Sequence, residues 1–391
     1  MIENRMHPFL DDAQVQLQRR VRAWVDDRLM ADAHEETDID GAARTLVREL
    51  GGEGFVAHVV PKNFGGARET VQARDLCVLR EELARGSALA DAMLAMQALG
   101  SYPITVAGSE EQKARYLPEI GSGEALAAFA LTEPQAGSDI AAMETSAVKR
   151  GPKYVLNGLK RFISNAGIAR TYVVFAVTDS SSKKKQISAF IVAADTPGLV
   201  LKERLRLLSP HPIGTIAFEE CKIPQANLIG QEGEGLGIAL RTLDTLRCSV
   251  GAAAVGLAKR ALEEAIRYSR SRRQFGQELA AFQATQFKLA DMATELEASR
   301  LLVYRAAWVN DCGGEDLKTN SSMAKLYATE AAQRIVDQAL QIHGGIGVVT
   351  GTPVERLYRD VRALRIYEGT SEIHKLIIAK DLLSKERQHG F

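Results

Sequence analysis

The chain has 391 residues, more than one hydrophobic core usually organises, so several domains or one multilayered unit are expected. Hydrophobic residues make up 46% and charged residues 25%, and no apolar run is long enough to span a bilayer, which excludes a helical membrane protein. Lys+Arg and Asp+Glu both number 49, so no global field draws in nucleic acid or an anionic membrane surface.

The opening MIENRMHPFLDD has neither an apolar signal core nor the acid-poor, Arg- and Ser-rich character of a transit peptide, so a cytoplasmic location is expected. Val21, Trp24, Val25 and Leu29 recur at helical spacing after Asp11-Asp12. Leu46, Val47 and Leu50 lead to Gly51-Gly52, a helix stop. Further helices are expected at about 70–85, 88–100 and 109–120, with Pro103 as a breaker.

Near Ala125 the texture changes to short β-rich runs, "ALAAFALT", "YVVFAV" (172–177) and "QISAFIVAA" (186–194), and Asn157-Gly158 reads as a tight hairpin turn. "SSSKKK" (180–185) reads as a solvated polar turn. From Gly233 the pattern returns to helix: 237–270 places Leu240, Leu243, Leu246, Val250, Leu257, Leu262 and Ile266 on one side, and long segments follow at 282–311 and 319–342. Long helices in succession imply a bundle. The class is therefore α+β multidomain, with a helical region 1–124, a β region 125–232 and a helical bundle 233–391. Strands and helices do not alternate, which argues against a parallel doubly wound sheet.

Several chemistries drop out. Cys77, Cys221, Cys248 and Cys312 lie far apart with no Cys-x-x-Cys, and His7, His34, His58, His211, His343, His374 and His389 are scattered, so neither a metal centre nor a disulfide framework is expected. "QEGEGLG" (231–237) and "HGGIGVVTG" (343–351) fit neither Gly-x-Gly-x-x-Gly nor the P-loop, and no nucleophile elbow or His-Glu-x-x-His is present.

Four polar segments remain. "LTEPQAGSD" (131–139) and "RFISNAG" (161–167) each read alone as a strand end and turn. "SRSRRQFGQ" (269–277), after Arg267, closes a long helix with cations that either favour its dipole or clamp a pyrophosphate. In "RIYEGTSEIHK" (365–375) Glu368 is either a solvated acid beside a Gly cap, with Ser371 as the N-cap of the next helix, or a desolvated base with a raised pKa between Tyr367 and Gly369.

Together with "PKNFGG" (61–66), "GEGLGIALRTLD" (233–244), "RRQFG" (272–276), "QIHGGIGV" (341–348) and "YEGTSEI" (367–373), these segments resemble the acyl-CoA dehydrogenase family over nearly the whole chain. The resemblance implies an N-terminal helical domain, a middle β domain and a C-terminal bundle, a homotetramer with one FAD per subunit, an acyl-CoA substrate, and an electron-transfer flavoprotein as electron acceptor. It places Thr132 and Ser138 along the flavin and substrate, Phe162 over a flavin face and Ser164 beside N5. Arg272, Phe275, Gln283, Gln341 and Gly345 match residues that reach a neighbouring subunit's FAD, and Thr370 also falls on the cofactor side.

Glu368 matches the family's base, removing an α-proton while the β-hydrogen leaves as hydride, to give a trans-2-enoyl thioester. The alternative base position corresponds to Leu246, which cannot take a proton. Leu243, Asp244, Arg247, Tyr367 and Gly369 fall on the substrate side, with Leu246, Val250, Met93 and Met96 as further wall candidates. Two departures stand out: "LLSPHPIGT" (207–215) replaces a Gly-x-Arg-x-Ser-x-Thr-like stretch, and His374 stands where Gln is common. A carrier-protein thioester dehydrogenase, a flavin oxidase and a non-catalytic helical scaffold are the rival readings.

Overall fold

The computed structural model describes residues 8–30, 38–181 and 185–389, the last three of them as backbone only. The N-terminal segment 1–7, His34, Lys183 and Lys184 lie outside these, as does the His389 side chain. In chain order the helices are α1 (Asp12–Arg28), α2 (Ile39–Gly52), α3 (Ala73–Gly86), α4 (Ala88–Ala107) and α5 (Glu110–Gly121). Eight strands follow, β1 (Ala127–Ala130), β2 (Ser146–Arg150), β3 (Lys153–Ser164), β4 (Thr171–Asp179), β5 (Gln186–Ala193), β6 (Leu199–Arg204), β7 (Ile213–Pro224) and β8 (Leu228–Ile229). Then come α6 (Gly235–Ser271), the short ribbon β9 (Arg273–Gln274) and β10 (Gln277–Glu278), α7 (Gln283–Asp311), α8 (Leu317–His343), α9 (Pro353–Arg362) and α10 (Ser371–His389). In sequence, helical regions precede and follow a middle β sheet, as an α+β chain requires.

Contacts divide the chain into two compact units, one of Met1–Glu35, Gln72–Asp91 and Asp244–Phe391, the other of Glu36–Val71 and Ala92–Leu243. In the second unit the strands run in the order β6-β7-β3-β2-β4-β5-β8, with β1 parallel to β4. Tyr154, Leu156, Tyr172, Val174, Phe190, Val192, Ile216 and Phe218 alternate along neighbouring strands and close one core. In the first unit α6 meets α3 and α7 through small residues. A side chain at Gly256 would come within 2.1 Å of the Glu81 carbonyl of α3. Burial here is set by close backbone approach.

Three expectations are corrected. Pro103 lies inside α4, which continues to Ala107. Hydroxyls in the same turn, Ser101 Oγ to Ala98 O at 3.2 Å and Thr105 Oγ1 to Ser101 O at 3.2 Å, engage carbonyls beside the bond that proline removes. Asn157-Gly158 is no hairpin turn. It marks a register shift inside β3, where the Asn157 amide exchanges two 2.8 Å hydrogen bonds with Glu220, while the two-residue turn is Gly151-Pro152. The proposed stripe on α6 also fails, because Leu240 and Ile266 are exposed whereas residues 245–258 are buried all round. A central helix packed on every side has no single apolar face.

Candidate active site

After α9 a 3₁₀ turn (Ala363–Arg365) leads to Tyr367, whose N–H donates to Ala363 O at 3.2 Å. Glu368 then adopts φ +53° and Gly369 φ +99° before α10 begins. A left-handed glutamate is strained by about 1 kcal/mol or more and persists only when its surroundings enforce it. The enforcement is visible: Arg247 Nε donates to Glu368 O at 3.4 Å and Lys325 Nζ to Gly369 O at 2.6 Å. A Cβ at position 369 would lie 2.8 Å from His374 Cε1, so glycine is required by space as well as by φ.

The cap of α10 corrects the sequence reading. Thr370 takes that role, its Oγ1 accepting from Ile373 N–H at 3.4 Å and its carbonyl from His374 N–H at 3.1 Å. Ser371 instead donates to Glu330 Oε1 at 2.6 Å, and Glu330 also binds Arg365 at 2.8 Å, so both flanks of the turn are tied to α8.

Within this turn the Glu368 Oε2 atom is enclosed and has no hydrogen-bond partner among the described residues. Burial pushes the carboxyl above its ordinary range, Arg80, Lys325 and Arg247 pull it back, and Asp91 adds to the rise. Ile366, two residues before Glu368, is 54% exposed; the cations Arg80, Lys325 and Arg247 rather than that side chain set the surroundings of the carboxyl. Arg80 is itself held by Asp91, at 2.7 Å through Nε and 2.9 Å through Nη2, and donates from Nη1 to Ser249 Oγ at 2.9 Å. Arg247 pairs with Asp244 at 2.6 Å one turn away on α6, and Leu246 between them is buried. Burial brings the Lys325 ammonium down to about 7, with Glu368 opposing the fall. Tyr367 keeps 37% of its surface exposed.

A second constellation closes the far end of α6. The β9–β10 ribbon turns through Phe275 (φ +49°) and Gly276 (φ +81°), leaving the Phe275 ring 94% exposed. Arg272 is exposed and makes no ion pair among the described residues; Gln283 opens α7, also exposed. Tyr268 stacks on His343 at 4.3 Å, which brings this ribbon's root beside the α8 terminus that carries Gln341 and Gly345.

In the β unit, Thr132 O accepts the Arg161 N–H at 2.9 Å, which ties the "LTEP" segment to the neck of Phe162. Phe162 stands at φ +58° on a bulge of β3, half-exposed. Ser164 Oγ lies 3.0 Å from His211 Nε2, and burial pushes that imidazole below its usual value. Ser138 is exposed and Leu243, near the start of α6, is half-buried. Glu133 is an anchor: it accepts from Lys160 at 2.7 Å and from the N–H groups of Glu144 and Thr145 at 2.7 and 3.0 Å.

The structure thus gathers Tyr367, Glu368, Gly369, Thr370, Asp244 and Arg247 around one turn, and Arg272, Phe275 and Gln283 on one ribbon. Lys325, Arg80, Asp91 and Ser249 went unnoticed in the sequence. For Lys325 the signal was a lone charge among small residues, since it falls among buried Ser322, Ala324 and Ala328.

The donor set also fits FAD. In the bundle, an exposed guanidinium at Arg272 with no ion pair among the described residues suits a pyrophosphate, the exposed Phe275 ring suits a flat partner, and space is open above Gly345. Family models for the acyl-CoA dehydrogenase N-terminal, middle and C-terminal domains match residues 11–124, 128–221 and 233–383. The chain belongs to the acyl-CoA dehydrogenase family.

An acyl-CoA dehydrogenase of Bacillus subtilis is 41% identical over 377 residues, covering 95% of this chain and 98% of its own. Two solved structures agree. One, from work on the electron transferring flavoprotein of Acidaminococcus fermentans, has a TM-score of 0.90 at 37% identity, covering 98% of this chain and 100% of that one. The other, a glutaryl-CoA dehydrogenase of Mycobacterium smegmatis in complex with FADH2, has a TM-score of 0.89 at 30% identity, covering 97% and 96%. This acyl-CoA dehydrogenase family member is an oxidoreductase whose cofactor is FAD. Among the described residues no group of His, Cys, Asp and Glu is placed to hold a metal, and no helix is long and apolar enough to cross a membrane.

Proposed function

We propose that this dehydrogenase removes the α-proton of an acyl-CoA thioester with Glu368 as the β-hydrogen departs as hydride, giving the trans-2-enoyl thioester. The observation that carries the reading is the enclosed, unpartnered Oε2 of a carboxyl whose pKa is raised by burial, on a strained turn. No donor among the described residues competes for its lone pair, and burial raises its basicity. The Glu368 N–H has no acceptor among the described residues, so it is available to a thioester carbonyl, where it stabilises the enolate-like charge that grows as the proton leaves.

FAD, when bound, supplies the hydride acceptor. Thr132, Ser138, Phe162 and Ser164 from the β unit, and Arg272, Phe275, Gln283, Gln341, Gly345 and Thr370, are the residues that would hold it. Ser138, Leu243, Asp244, Arg247, Tyr367 and Gly369 would face the substrate, with domains at 1–124, 125–232 and 233–391. An electron-transfer flavoprotein as electron acceptor is supported by the Acidaminococcus neighbour. A homotetramer is supported by the exposed apolar side chains Val348, Val349, Leu376, Leu382 and Leu383, and a cytoplasmic setting by the bacterial relative.

The test is Glu368→Gln mixed anaerobically with acyl-CoAs. The variant keeps its yellow FAD and loses substrate-driven bleaching by about 10²–10⁴-fold, the range of general-base action. Equal bleaching in variant and wild type refutes the assignment.

A further inference from the structure

Lys325 is wholly buried on α8, yet its ammonium makes a single hydrogen bond among the described residues, to Gly369 O at 2.6 Å. An ammonium carries three protons, and burying it with two unbonded is costly unless a counter-charge stands close. One residue earlier in the chain, Glu368 has an enclosed oxygen without a donor among the described residues. Each group lacks what the other offers. Position 369 cannot relax, because His374 fills the space beneath it and neither of its ring nitrogens has a well-formed hydrogen bond.

We propose that Lys325 is a positioning residue for the base: its ammonium, bonded to Gly369 O, fixes the left-handed Glu368–Gly369 turn and is the counter-charge against which the Glu368 carboxyl titrates. This rests on Glu368 being the base, as proposed above. The charges around the pair are accounted for by element. Arg80 of α3 is neutralised by Asp91 of α4 at 2.7 Å, and Arg247 of α6 by Asp244 at 2.6 Å. Arg365 is neutralised by Glu330 of α8 at 2.8 Å, and His374 of α10 is neutral, its imidazole pushed down to about 3 by burial and then by Lys325 and Arg247. Tyr367 keeps its proton, because burial raises its phenol. Lys325 is the one cation in this set without an acidic side chain bonded to it. Its own proton comes off at about 7, so the charge felt by Glu368 changes within the working pH range.

The test uses FAD-loaded wild type, Lys325→Met and Lys325→Arg, with two readouts. One is the pH profile of anaerobic bleaching by an acyl-CoA. The other is the infrared carboxyl band of residue 368 without substrate, identified by subtracting the Glu368→Gln spectrum. Lys325→Met is expected to move both the acid limb and the carboxyl titration upward by about one pH unit or more, the scale of one lost opposite charge. Lys325→Arg cannot lose its charge, so it is expected to keep the acid limb in place and to narrow the carboxyl titration that Lys325 broadens in wild type. A uniform rate loss in Lys325→Met at every pH, with the carboxyl titration unmoved, overturns the proposal. Should Lys325→Met fail to hold flavin, an arginine variant whose carboxyl titration overlays the wild-type curve overturns it equally. Full bleaching by Glu368→Gln would instead remove the base assignment, so the two failures are distinguishable.

Discussion

Tyr268 and His343 stack with centroids 4.3 Å apart and planes 20° from parallel, so the C-terminal ends of α6 and α8 are pinned together. His343 is oriented for this by its Nδ1, 2.7 Å from Ala339 O in its own helix. The consequence is that Arg272, four residues beyond Tyr268, and Gln341 and Gly345, on either side of His343, share one edge of the bundle. A helix terminus rich in arginine is ordinary dipole chemistry. A terminus where Arg272 makes no ion pair among the described residues, while Arg267 is bonded to Glu264 at 2.7 Å, is different.

Arg272→Ala should therefore weaken FAD retention. A charge-assisted hydrogen bond to phosphate contributes about 1.5–3 kcal/mol, so the FAD Kd should rise about 10–100-fold. Fluorescence titration of apoprotein with FAD measures this, and the urea midpoint without FAD should stay in place because the side chain is exposed. Unchanged FAD affinity would count against the clamp.

Gly369→Ala meets two penalties at once, a φ of +99° and a contact of 2.8 Å with the His374 ring. Urea unfolding should show a loss of about 1–3 kcal/mol, and the bleaching rate should fall further than stability alone explains, because relief of the clash moves the Glu368 turn. A variant with normal stability and normal bleaching would mean that this turn is softer than its contacts indicate.

These residues also show what a linear reading can and cannot reach. Glu368, Arg272 and Phe275 lie in compact motifs where residue type and neighbours carry the chemistry, and the long helices announce themselves by apolar recurrence. Lys325 and Arg80 are different. Each is a charged side chain that proves buried, and its meaning depends on a partner from another element, Gly369 for one and Asp91 for the other. Asn157-Gly158 misleads for a related reason, since its turn chemistry is used to cross-link Asn157 with Glu220 on the adjacent strand. Thr370 rather than Ser371 caps α10 because the Ser371 hydroxyl is drawn away by Glu330.

His374 gives a pH prediction. Its imidazole falls from the ordinary 6.5 to about 3 in the folded chain, mainly through burial. Between those values the unfolded chain binds a proton that the folded chain refuses, so stability drains away as pH falls through 6.5. His374→Gln, the residue common in the family, removes that liability. Relative to wild type, the variant should gain at most about 2 kcal/mol between pH 7 and pH 5, at 1.36 kcal/mol per unit below 6.5. Urea midpoints of the FAD-loaded proteins across that range measure it, and parallel curves would mean that the ring takes up its proton while folded.

The last prediction concerns the buried pair under the "LTEP" segment. Lys160 Nζ reaches Glu133 Oε1 at 2.7 Å and Leu131 O at 3.0 Å with neither charged side chain exposed. Burial lowers Lys160 to about 8, and Glu133 stays low despite its own burial because Lys160 and the N–H groups of Glu144 and Thr145 hold the anion. Lys160→Met removes one partner and strands the other, which costs about 3–5 kcal/mol. Lys160→Met with Glu133→Gln should recover much of that loss, since the amide still accepts a backbone N–H and carries no charge. Loss of Lys160 alone should also loosen FAD, because Glu133 sits beside Thr132, whose carbonyl holds the backbone next to Phe162. Denaturant unfolding of the two variants, read together with FAD content, decides the matter. If the single variant is as stable as wild type, the pair is not what fixes this segment, and the position of Thr132 must be set by the strand alone.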